Sequence, residues 1–108
     1  MSLTMILTYT GKNGAAQKYA KEMVSSGIVD RIRQQPGNLR YEYFQPLDDP
    51  ESIVLIDTWK DQAALDADHD SPMMKELAQL RDKYDLHMKA ERYVSEELPD
   101  QDKGFLRK

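Results

Sequence analysis

An aspartate and a tryptophan two residues apart are the side chains of this sequence best placed to do chemistry. Ser52 to Trp59 is β-branched and apolar enough to form a strand. Side chains two apart on a strand share a face, so Ile53, Leu55, Asp57 and Trp59 point one way and Val54, Ile56 and Thr58 the other. A carboxyl group on a core-facing surface resists ionisation, which suits Asp57 to accept a proton near neutral pH. The indole beside it can stack on a flat ring. Each has a plainer reading: Trp59 as the largest core residue, and Asp57 in an ion pair or hydrogen bond with Arg40, Lys89 or Arg92 within the sheet.

His69 is a second acid or base by type, because imidazole titrates near neutrality; the alternative is a surface histidine near a helix start. Tyr41 and Tyr43 can orient a ligand through their hydroxyls or simply pack the sheet. Met73 and Met74 suit a core or an adaptable pocket wall. Asp66, Asp68, His69 and Asp70 look like a metal cluster in composition only. A calcium loop begun at Asp66 needs glycine where Ser71 stands and glutamate where Leu77 stands. A solvated acidic turn is expected there, with no metal bound.

These residues must be held by a short series of elements. Thr4 to Thr10 reads as a first strand, with Met1-Ser2-Leu3 set aside as a non-native leader. From Ala15 to about Gln35, Ala16, Tyr19, Ala20, Met23, Val24, Ile28 and Ile32 recur at helical spacing, with a weak point at Ser25-Ser26-Gly27. Pro36-Gly37 ends that helix. Asn38 to Gln45 alternates Leu39, Tyr41 and Tyr43 against Arg40, Glu42 and Phe44, as a half-buried strand does. Asp48-Asp49-Pro50 forms a turn before the Asp57 strand. Asp61 caps a helix to about Asp68, and Ser71-Pro72 opens the last long helix, whose core stripe is Met73, Leu77, Leu80 and Tyr84. Leu86 to Val94 is the fourth strand.

The order βαββαβ predicts a ferredoxin-like α+β fold, an antiparallel sheet with helices on one face. Residues 1–94 form its single domain, and residues 95–108 a charged tail that is either mobile or laid across a partner. Because the third strand is apolar on both faces, the bare face of the sheet is expected to meet a second copy, giving a homodimer.

Composition limits the partners. The 108 residues are 40% hydrophobic and 31% charged, enough for one core and too apolar for a wholly disordered chain. No run of eighteen apolar residues and no basic-then-apolar leader is present, so a cytoplasmic protein without a membrane anchor is expected. With no cysteine, thiolate nucleophiles and thiolate metal sites are excluded. A formal charge of -4 opposes nucleic-acid binding, and Asn38 to Phe44 lacks the basic, glycine-containing strand of RNA-recognition domains.

The run Pro36-Gly37-Asn38-Leu39-Arg40-Tyr41, the triplet Asp57-Thr58-Trp59, Ala64-Leu65 and Ser71-Pro72-Met73-Met74 together resemble the antibiotic biosynthesis monooxygenase family of dimeric α+β barrels. The likeness spans roughly Thr4 to Val94. It implies a pocket between sheet and helices for a small phenolic or quinol-type aromatic, and oxygenation by dioxygen without a cofactor. It also implies that Trp59 holds the family's pocket tryptophan and Asp57 the place of its usual glutamate, with His69 as a second catalytic candidate. Asp68 and Met73 stand where the family often has histidine, and with Tyr41 they are the expected substrate-binding residues. A sister group with this fold degrades haem through an axial histidine, whose place here is Ala78, so haem chemistry is not expected. A binding protein or an isomerase of the same fold is the alternative function.

Overall fold

Two glycines with left-handed backbone divide the first half of the chain. In the computed structural model, which describes residues 1–107, Gly27 (φ 85°) breaks the predicted long helix into α1 (Ala15–Ser25) and α2 (Ile28–Arg33). The break falls at the Ser25-Ser26-Gly27 weak point, because a positive φ cannot continue a right-handed helix. Gly37 (φ 87°) then turns the chain into β2 (Asn38–Phe44), and a Cβ there would come within 2.5 Å of Ala64 Cβ. Only glycine lets the turn lie that close to the following helix.

Four antiparallel strands in the order β2-β3-β1-β4 make the sheet, with β1 at Leu3–Thr10, β3 at Ser52–Trp59 and β4 at His87–Val94. Helices α3 (Gln62–His69) and α4 (Pro72–Lys83) complete the βαββαβ order, and a one-turn α5 (Asp100–Lys103) lies in the tail. The expected ferredoxin-like α+β arrangement is present. No helix among the described residues is long and apolar enough to cross a membrane.

Parity on the strands follows the sequence. Ile53, Leu55, Asp57 and Trp59 are buried beneath the helices, while Val54, Ile56 and Thr58 lie half-exposed on the other face. β1 pairs with β3 so that Leu3, Met5, Leu7 and Tyr9 stand beside Trp59, Asp57, Leu55 and Ile53. Trp59, Tyr9, Tyr19, Met23, Ile32 and Leu55 are the large fully buried side chains.

Three local expectations are corrected. Leu3 belongs to β1, is buried, and pairs with Trp59 and Val94, so the strand starts one residue earlier than its β-branched run suggests. Leu39 does not share a face with Tyr41 and Tyr43: a bulge between Asn38 and Arg40 leaves it 61% exposed. Ser71 precedes α4 as expected, but its hydroxyl makes no capping bond and is buried without a partner. The Asp61 cap does form, the amide of Ala64 donating to Asp61 Oδ1 at 2.9 Å.

Candidate functional site

The helix-facing side of the sheet is filled at one end and hollow at the other. The hollow, about 220 Å³, is floored by Met5, Leu7 and Tyr9 of β1, Leu55 and Asp57 of β3 and Tyr41 of β2. Leu65, Asp68 and His69 of α3 and Met74, Leu77 and Arg81 of α4 form its roof, and Met88 and Ala90 of the exposed edge strand β4 close one side. An apolar cavity of about 150 Å³ holds benzene. This one therefore has room for a substituted ring or a compact bicyclic.

Asp57 is the polar feature of the floor. It is 6% exposed, and its Oδ1 has no hydrogen-bond partner. Burial pushes its carboxyl up from 3.8 to about 6, against the pull of the Trp59 indole; the Asp68 carboxylate adds to the rise, while His69 and the Asp57 backbone N–H lower it. None of the expected ion pairs forms. Arg40, opposite Thr58, and Lys89, opposite Thr8, lie on the other face of the sheet, and Arg40 pairs with Glu42 at 2.8 Å. Arg92 is one strand away, beyond Met5. The carboxyl is thus left buried and unpaired beside an open space.

Trp59 is fully buried and is not part of the cavity wall, so it does not present a stacking surface there. Its indole N–H has no acceptor at hydrogen-bond distance, although it lies close enough to Asp57 to favour the ionised carboxyl. Trp59→Phe is accordingly expected to raise the Asp57 carboxyl above about 6, as read by carbon-13 NMR titration of its side chain. An unmoved titration would reduce Trp59 to a core filler.

The remaining predicted residues divide. Asp68 is 4% exposed, lines the cavity, and accepts a 2.6 Å hydrogen bond from Gln35 Nε2; burial raises its carboxyl, and that bond and His69 lower it. His69 is solvent-exposed at the end of α3 but reaches the cavity wall. Tyr41 lines the floor, its burial raising its phenol well above the ordinary value, and its carbonyl accepts from Arg33 Nε at 3.0 Å. Met73 packs against the core, and Met74 takes the place on the cavity wall. No group of three His, Asp or Glu side chains among the described residues is arranged to hold a metal ion.

Sequence reasoning missed Tyr9 and Arg81. Tyr9 was legible, since it has the same parity on β1 as Met5 and Leu7. Arg81 follows Met74 and Leu77 at i+7 and i+4, a second face of α4 adjacent to the one carrying Leu80 and Tyr84. That other face turns to α1, where Tyr84 and Lys83 both donate to Glu22 Oε1.

Residues 2–80 match the family model described as antibiotic biosynthesis monooxygenase. Among solved structures, a candidate antibiotic biosynthesis monooxygenase from Deinococcus radiodurans aligns with 18% identity over 93% of this chain and 97% of its own, TM-score 0.77. SnoaB, a cofactor-independent oxygenase from Streptomyces nogalater, aligns with 17% identity over 92% and 97%, TM-score 0.74. A Pseudomonas aeruginosa protein aligns with 24% identity over 89% and 95%, TM-score 0.75. These likenesses establish a shared fold. No curated protein matches the chain.

Proposed function

Because the chain belongs to the antibiotic biosynthesis monooxygenase family, we propose that it oxygenates a small phenolic or quinol-type aromatic with dioxygen, without a prosthetic group. The observation that carries this reading is the bare Oδ1 of Asp57, buried at the floor of a cavity sized for one or two rings. With its carboxyl near 6, Asp57 is ionised at neutral pH yet basic enough to take up a phenolic proton as the ring gives up electron density. His69 at the rim receives or returns that proton, and Trp59 tunes Asp57 from behind. Tyr41 and Asp68 shape the wall, with Met73 supporting Met74.

The substrate itself supplies the electrons. Its anion reduces dioxygen, a carbon–oxygen bond forms on the ring, and the oxygen–oxygen bond breaks as water leaves, so that a naphthohydroquinone and dioxygen become a hydroxynaphthoquinone and water. The protein contributes orientation, a dry site and a held charge. Residues 1–94 form the working domain, with residues 95–108 as a tail. Two copies pair through the open face of the sheet.

Oxygen uptake across hydroquinones, naphthohydroquinones and anthrones, against autoxidation blanks, tests the reading. Uptake above the blank is expected for one- and two-ring quinols and weaker for the three-ring anthrones, which exceed the cavity. No uptake from folded protein would sink the oxygenase. A ligand that raises the thermal midpoint but is recovered unchanged would install a binding module instead, a reading favoured by the withdrawal of Trp59 from the cavity wall.

A further inference from the structure

Besides Asp68 and His69, the cavity is lined by two charged side chains that have no ion-pair partner among the described residues, its two poles Asp57 and Arg81. Arg81 lines it from α4, and its Nη1 approaches only Met88 Sδ, a weak acceptor, at 3.8 Å. The ion pairs among the described residues are Arg31–Glu76, Arg40–Glu42, Lys83–Glu22 and Lys103–Asp100, and none includes Arg81. At the other pole, Asp57 Oδ1 is equally unengaged.

Sheet register fixes where the poles lie. Met88, beside the guanidinium, pairs with Tyr9, whereas Asp57 pairs with Met5. Met5 and Tyr9 are four residues apart along β1, and β3 and β4 flank that strand, so Asp57 and Met88 stand diagonally across the sheet, their Cα atoms about 16 Å apart by strand rise and spacing, with their side chains on the helix-facing side. Tyr9, at the Arg81 end by register, meets both charges: Arg81 favours the ionised form of its phenol and Asp57 opposes it. A single ring carrying polar groups at opposite ends is of a size that the cavity of about 220 Å³ admits, and it offers one group to each pole. The middle of the cavity, between Leu7, Leu55 and Leu77, is apolar and suits the ring itself.

We infer that the cavity takes a hydroxylated aromatic acid, its carboxylate held by Arg81 and its ring hydroxyl turned to Asp57. A planar guanidinium meets a carboxylate with two parallel hydrogen bonds, and a phenol donates to a carboxylate. The reversed orientation would set two carboxylates against each other. An uncharged phenol would satisfy only one pole. The inference rests on the reading of this cavity as the substrate site and narrows its substrate class.

Calorimetric titration of the full chain at pH 7.5 with 4-hydroxybenzoate, its methyl ester, phenol and benzoate tests it. None of these probes needs dioxygen to bind, so binding is separated from turnover. The acid is expected to bind roughly tenfold more tightly than its ester, the margin of one charge-assisted contact. Arg81→Gln should bring that ratio to about one, and Arg81→Lys should keep part of it, with circular dichroism checking the fold of both. Equal affinities for acid and ester, or a ratio that survives Arg81→Gln, would overturn the anion anchor. If phenol and ester then still bind, the phenol site of the proposed oxygenase stands without it; if none of the four binds, both fall.

Discussion

Asp57→Asn is expected to yield a protein that is more stable than the original at pH 8 and close to inactive. The stability half follows from linkage. The folded state holds the Asp57 proton up to about pH 6, while the unfolded chain releases it near 3.8. Below pH 4 both states are protonated and the carboxyl costs nothing. Between about 4 and 6 the unfolded chain ionises first, so stability falls as pH rises, and above 6 the whole cost remains. The gap between those two values corresponds to about 3 kcal/mol. Asparagine keeps the shape and does not ionise, so the advantage of the variant should be near zero at pH 4 and reach a thermal midpoint roughly 10 °C higher at pH 8. Turnover should meanwhile drop by about 10² to 10⁴, the usual contribution of a positioned general base. Scanning calorimetry at pH 4, 6 and 8 beside the oxygen-uptake assay reads both halves. A variant less stable at pH 8 would mean that the Asp57 charge is satisfied in the fold, and the buried-base mechanism would lose its premise.

That trade shows what the sequence could and could not reveal about the site. Strand parity placed Asp57 on the helix-facing side, because a period of two leaves no choice once Ile53, Leu55 and Trp59 must be buried. Parity also disqualifies Arg40 and Lys89 as partners, but only once their register is known: one residue of slip would have brought either to the same face. The bulge at Leu39 is invisible for the same reason, being a property of the pairing between two strands and not of either one. On α4 the apolar stripe was found and its rotation was not. Leu80 and Tyr84 serve the contact with α1 and α2, while Met74, Leu77 and Arg81 roof the cavity, and a helix packed on two sides shows two overlapping stripes. Trp59 remained ambiguous because an indole of full burial and one at a cavity edge have the same neighbours in sequence.

The open face of the sheet, through which we propose that two copies pair, carries the second large effect: Ile56→Lys is expected to turn that dimer into a monomer. Val54, Ile56 and Thr58 of β3 and Thr4, Ile6 and Thr8 of β1 form its centre, on the face opposite the one that α1 to α4 cover. Phe44 at 38% and Tyr93 at 48% exposure extend it to both edge strands. The centre has no charge, and its hydroxyls are partly paired with one another, as in the 3.0 Å contact between Thr4 Oγ1 and Thr58 Oγ1. Charges of both signs lie at the margins, Arg40 and Glu42 on β2 and Lys89 and Glu91 on β4. An apolar centre between margins of mixed sign is self-complementary under a two-fold axis, the commonest way for identical chains to associate. A lysine at Ile56 would bury an unpaired ammonium in the middle of that contact, at a cost of several kcal/mol. Light scattering coupled to size exclusion should give twice 12.5 kDa for the original chain and 12.5 kDa for Ile56→Lys. Leu47→Lys, on a loop residue already 105% exposed, adds the same charge elsewhere and should leave the dimer intact. An Ile56→Lys protein that still ran as a dimer would move the interface off this face, and the apolar centre would need another occupant.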